Sequence, residues 1–82
     1  MDNRHMTIKI FGKEPDGTDF LMWSPKESKN VRVVSSKGWI LEFQNGKKIT
    51  LEEDKKFAVC KGEIYTIHRG QGELVLGIIH NK

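Results

Sequence analysis

Cysteine is nearly missing from this chain, with Cys60 alone among 82 residues. A lone cysteine excludes an internal disulfide, so packing and backbone pairing must hold the fold. It also fits a reducing compartment, the cytoplasm. No apolar run is long enough to span a bilayer, so no membrane partner is expected. The opening MDNRHM has no apolar core of the kind a secretion signal needs. Residues 1–6 read instead as a flexible N-terminus, with His5-Met6 a tag remnant, and residues 7–82 as one β domain. Apolar residues make up only 37% of the chain, but they are clustered, which excludes wholesale disorder. Repeats, low-complexity tracts and interdomain linkers are lacking. A chain this short forms one domain with a modest core.

Catalytic chemistry is missing as well. Arg69-Gly70-Gln71-Gly72 lacks the Gly-Lys-Ser/Thr ending of a phosphate loop and the spaced glycines of a dinucleotide site, and it reads as a hairpin turn. Cys60 and His68 have no third group to orient them, so Cys60 reads as packing in an apolar strand. His68 and His80 are not spaced as a metal pair, and no cysteine or carboxylate cluster completes one. Glu52, Glu53 and Asp54 are neighbours along the chain and do not converge on one substrate atom. The reading is a protein without enzymatic activity, metal or cofactor.

What the sequence does contain is strand signals. TIKIF (7–11), FLMW (20–23), VRVVS (31–35), FAVCK (57–61), IYTIH (64–68) and ELVLGII (73–79) are short apolar runs bounded by turn formers. Pro15-Asp16-Gly17 fits a β-turn. Ser24-Pro25-Lys26-Glu27 carries the pattern of a capping box with proline at the first helical position, so one helical turn is predicted there, ended by a left-handed Asn30. Residues 52–56 are a charged loop or single turn; a helix over 50–62 is the alternative. Residues 64–79 read as a second hairpin.

LEFQNGKKITL (41–51) contains Asn45-Gly46, a strong hairpin signal. A two-residue loop would mix polar and apolar residues on each side of the ribbon. A three-residue loop, Gln44-Asn45-Gly46, with Gly46 left-handed in a bulge, places Leu41 opposite Ile49, Trp39 opposite Leu51 and Glu42 opposite Lys48. One side then collects Trp39, Leu41, Phe43, Ile49 and Leu51. A slip of one residue exchanges the faces, so burial selects this register.

The net charge is +3, unevenly spread. Residues 26–48 hold Lys26, Lys29, Arg32, Lys37, Lys47 and Lys48 against Glu27 and Glu42, an excess of four, while the rest of the chain sums to −1. Trp23 lies beside this segment. Cations that hold phosphates and rings that stack on bases are the means by which single-stranded nucleic acid is bound.

Residues 39–79 also resemble, in the spacing of their short strands, the carbon-storage-regulator family of RNA-binding β dimers. The segments GKKITL, KKFAV and LVLGI carry the resemblance. It implies a β dimer that binds RNA. The chain departs from the family where that function lies: Val75 stands in place of an arginine of the closing strand, and Glu42-Phe43-Gln44 replaces a basic first strand. No RNA-binding residue carries over.

The sequence thus predicts an all-β fold, a small barrel or sandwich of six to eight short antiparallel strands. The leading function is a small basic binding module that contacts RNA or single-stranded DNA through Lys26, Lys29, Arg32, Lys37, Lys47 and Lys48, with Trp23 stacking. The alternative is a protein-interaction module, an inhibitor or oligomeric adaptor, using the last strand. ELVLGII is apolar on both faces, and a homodimer would cover it. Gly46→Ala is predicted to cost about 1 kcal/mol, because a left-handed residue penalises a Cβ. The shift of the urea midpoint measures it.

Overall fold

The computed structural model describes residues 5–12 and 20–80; the side chains of His5 and His80 lie outside the description, as does the predicted Pro15-Asp16-Gly17 turn. The described residues form eight strands and no helix: β1 (His5–Phe11), β2 (Phe20–Trp23), β3 (Lys29–Ser35), β4 (Ile40–Glu42), β5 (Lys48–Thr50), β6 (Lys56–Val59), β7 (Tyr65–His68) and β8 (Leu74–His80). They pair into two antiparallel four-stranded sheets, ordered β1-β8-β3-β6 and β2-β7-β4-β5, without closing into a barrel. The all-β sandwich reading holds at the upper strand count. No helix among the described residues is long and apolar enough to cross a membrane.

The chain changes sheet at almost every connection, and β4–β5 is the one hairpin between consecutive strands among those described. That hairpin has the register that burial selects. Leu41 pairs with Ile49 and Glu42 with Lys48, the Phe43 N–H donates to the Lys47 carbonyl at 2.7 Å, and Gly46 sits at φ 94°. Leu51 continues the ladder, its N–H donating to the Trp39 carbonyl at 2.8 Å.

The second predicted hairpin does not form. β7 pairs with β2 and β4, whereas β8 pairs with β1 and β3. The reason lies in residues 69–72, which press on the loop before Trp39 instead of reversing the chain. The Gln71 N–H donates to the Lys37 carbonyl at 2.8 Å, and the Trp39 indole N–H donates to the Gln71 carbonyl at 3.2 Å. Gly70 lies so close that a Cβ there would come within 2.6 Å of the Trp39 backbone nitrogen.

The predicted helical turn is absent too. Residues 26–27 form a bend, and Lys29 and Asn30 already belong to β3, opposite Val59 and Ala58. Sheet pairing takes Asn30 before it can end a helix. Ser28 ties the bend to the chain after β6, its hydroxyl accepting the Lys61 N–H at 3.1 Å. Residues 52–55 are the charged loop, with Asp54 left-handed at φ 70° and its N–H donating to the Val33 carbonyl at 2.8 Å. Strand β6 spans Lys56–Val59 and stops short of Cys60, which is exposed rather than packed in the core.

The core lies between the sheets. Val31, Val33, Val59, Leu74, Leu76 and Ile78 come from one sheet and Leu41, Tyr65 and Ile67 from the other, with Trp39 and Leu51 beside them. Burying side chains of this kind stabilises by roughly 1.5–3 kcal/mol each. A row of rings, Phe11, Trp23, Tyr65 and Phe43, packs along its side at centroid spacings of 5.7, 6.1 and 5.5 Å, with only Tyr65 fully buried.

Tyr65 is buried, yet its hydroxyl is fully used. It accepts the Cys60 N–H at 2.7 Å and donates to Glu63 Oε1 at 3.0 Å. Burial pushes its pKa up to about 12, and the nearby Glu63 carboxylate adds to the rise while the Cys60 N–H works against it. The folded-state pKa lies above the unfolded one, so this contribution to stability is complete below about pH 10 and is lost as pH rises through about 12. Tyr65→Phe removes the titration and leaves the Cys60 N–H unpartnered, at a cost of about 1–2 kcal/mol at neutral pH. The gap in urea midpoint between the native protein and this variant should narrow as pH rises from 10 to 12.

Candidate functional site

Three separate segments build a cleft at one end of the sandwich. Strand β2 ends at Trp23, whose ring is half-buried and meets Phe11 edge-on. Pro25, buried, then turns the chain toward β3. Strand β3 opens with Lys29, which has the same parity as the core residues Val31 and Val33 and so points to the inner side of its sheet. Strand β1 adds Lys9, aligned with the buried Leu76 and therefore on the same inner side.

The cleft is open, about 310 Å3 in volume, with Trp23, Pro25 and Ile78 as an apolar floor and Lys9, Lys26, Glu27 and Lys29 around it. Lys29 Nζ is 2.9 Å from Glu27 Oε1, and Lys9 Nζ lies 5.3 Å from the centre of the Phe11 ring. Three cations against one carboxylate leave a positive rim over a greasy base. An arrangement like this suits a flat ring with an attached anion.

Trp23, Lys26 and Lys29 thus meet in one place. The other four candidates do not join them. Arg32 lies on the opposite face of its sheet, with Nη2 2.8 Å from Asp54 Oδ1. Lys37 sits in the loop before Trp39, beside Arg69 and Gly70. Lys47 closes the hairpin turn, its N–H donating to Asn45 Oδ1 at 2.9 Å. Lys48 faces Glu42 across the hairpin, and Glu42 also contacts His68, Oε1 to Nε2 at 2.8 Å. Nearness in sequence placed all six cations in one segment; alternation along β3 and the crossing between sheets distribute them over several faces.

Lys9 was not among the sequence candidates. The signal for it was present in TIKIF: Lys9 shares parity with Phe11 rather than with Ile8 and Ile10. Once Phe11 packs against the core, Lys9 must sit on the inner side at the sheet edge.

The chain matches no family model, and no curated protein or solved structure is significantly similar to it. The resemblance over residues 39–79 therefore stays at the level of strand spacing, and the functional argument rests on the cleft and on the surfaces around it.

Proposed function

We propose that the protein is a non-enzymatic cytoplasmic module that binds single-stranded nucleic acid in the Trp23 cleft. The convergence of Lys9, Trp23, Lys26 and Lys29 from three segments of the chain carries this reading. A base rests against the exposed part of Trp23 and the apolar floor, while Lys9 and Lys26 take the flanking phosphates and Lys29 completes the rim. Duplex fits less well, because its bases are already stacked on one another and its phosphates would meet only one end of the sandwich. Arg32, Lys37, Lys47 and Lys48 lie outside this contact and supply only long-range attraction.

Fluorescence anisotropy with short single-stranded RNA, single-stranded DNA and duplex tests the proposal. Single strands should bind at low salt, with a log–log salt slope of about −1.4 for two phosphate contacts. Lys9→Glu and Lys26→Glu should each weaken binding, and Lys47→Glu should weaken it much less. Absence of binding to all three nucleic acids, or an equal effect of Lys47→Glu, overturns the reading.

A further inference from the structure

The loop Arg69-Gly70-Gln71-Gly72 has the glycines of a turn, yet it carries the chain from one sheet to the other, and the Trp23 cleft makes no use of it. It prolongs the pairing of β7 with β4. Ile40 lies opposite His68, and continuing that register sets Trp39 opposite Arg69 and Lys37 opposite Gln71. The bond of 2.8 Å from the Gln71 N–H to the Lys37 carbonyl falls where this register requires it. The two loops therefore run side by side. An open cleft of about 550 Å3 lies over them, lined by Lys37, Gly38, Arg69, Gly70 and Gln71. We propose that this cleft binds a phosphate dianion between the ammonium of Lys37 and the guanidinium of Arg69.

Three features distinguish the cleft from a chance pair of surface charges. The first is the chemistry of its lining. Lys37 and Arg69 are the charged groups among the described residues there. A planar guanidinium matches two phosphate oxygens at once, and a lysine adds a point charge. Arginine has five N–H donors, so the contact of Arg69 with the Trp39 ring and any further pairing leave donors for a ligand.

The second feature is that the guanidinium is held in place. It lies 5.7 Å from the centre of the Trp39 ring, which is itself fully buried and fixed. The third is a preorganised floor. Gly70 packs against the Lys37 carbonyl and the Gly38 backbone with no room for a Cβ, and the Trp39 indole N–H donates to the Gln71 carbonyl at 3.2 Å. Little remains to be ordered when a ligand arrives. Gly38 is the opposite case: a Cβ there would meet no atom within 4 Å, so a ligand can approach the backbone.

The lining also selects the class of ligand. Trp39 is buried, and no exposed ring or apolar side chain is among the described residues of the cleft, so a phosphate group is recognised rather than a base or an acyl chain. Two cations suit the two charges of a terminal phosphate better than the single charge of a diester. The site is separate from the Trp23 cleft. Trp23 pairs with Tyr65 at the start of β7, and Arg69 follows its end, four residues or roughly 13 Å away.

Proton–nitrogen correlation spectra of the full chain test the proposal. Inorganic phosphate, glycerol 3-phosphate and dimethyl phosphate are titrated at low ionic strength and about pH 8, where a phosphomonoester is doubly charged. The two dianions should move the amide signals of residues 37–38 and 69–71 most, and dimethyl phosphate should bind at least about tenfold more weakly. The tighter of the two dianions identifies the source as free phosphate or a phosphorylated small molecule. Lys37→Gln, at an exposed position, and Arg69→Gln should each weaken binding about tenfold. Lys47→Gln, the same loss of charge elsewhere, should change it little. Lys37→Gln should also leave single-strand binding at the Trp23 cleft unchanged, so the two sites stand or fall separately. Shifts that do not saturate or that spread over every cationic surface overturn the proposal. So does a diester that binds as tightly as the dianions, or a Lys47→Gln variant as weak as Lys37→Gln.

Discussion

The fold depends on the clasp between residues 69–72 and the chain around Trp39. An indole, fully buried, donates its one N–H to the Gln71 carbonyl, while the Gln71 N–H returns a bond to the Lys37 carbonyl. Gly12, at the end of β1, packs against the far edge of the same ring, and the Arg69 guanidinium lies 5.7 Å from its centre. Two other parts of the chain, residues 69–72 and Gly12, are thereby fixed to one side chain. The clasp forces β8 out of the sheet that holds β7 and into the other, where it becomes an inner strand. With β8 in that place, Leu74, Leu76 and Ile78 enter the core and the alternate residues Val75, Gly77 and Ile79 face outward. The outward position of Val75, Gly77 and Ile79 follows from the clasp, as does the support Ile78 gives to the cleft floor.

Local patterns were legible in the sequence, and non-local ones were not. Face matching along residues 41–51 was enough to choose the three-residue loop, because both partners of the pairing lie within a few residues. The charged loop expected at 52–56 could be read for the same reason, although Lys56 joins β6: no apolar residue joined Leu51 to Phe57 along a helix face. The supposed hairpin over 64–79 failed because its glycine-rich loop satisfies turn chemistry equally well as a crossing. Only contact with residues 37–39, some thirty positions away, distinguishes the two. The capping pattern at Ser24–Glu27 lost to strand pairing across β3 for a similar reason. Cys60 looked like a core residue within FAVCK, but the Tyr65 hydroxyl captures its N–H just past the strand end, and the side chain is left at the surface.

The candidate site was half legible. Trp23, Lys26 and Lys29 sit close together in sequence and remain so in space, because a proline bend joins β2 directly to β3. Arg32 is only three positions from Lys29 and still lies across the sheet, since a strand exposes alternate residues on opposite faces. The cleft lies on the inner side of the β1-β8-β3 sheet, while Ile8, Ile10, Val75 and Ile79 face outward.

The clasp is tested most directly by comparing Gly70→Ala with Gly38→Ala in urea unfolding. Both positions lie in the two loops that meet beneath Trp39. A Cβ on Gly38 meets no atom within 4 Å, so that variant reports backbone strain at φ 78° alone. A Cβ on Gly70 would overlap the backbone of residues 37–39 and must drive the loops apart. The account predicts that Gly70→Ala costs at least about 2 kcal/mol, clearly more than the roughly 1 kcal/mol of Gly38→Ala. A Gly70→Ala protein as stable as the Gly38→Ala protein, or more so, would contradict it.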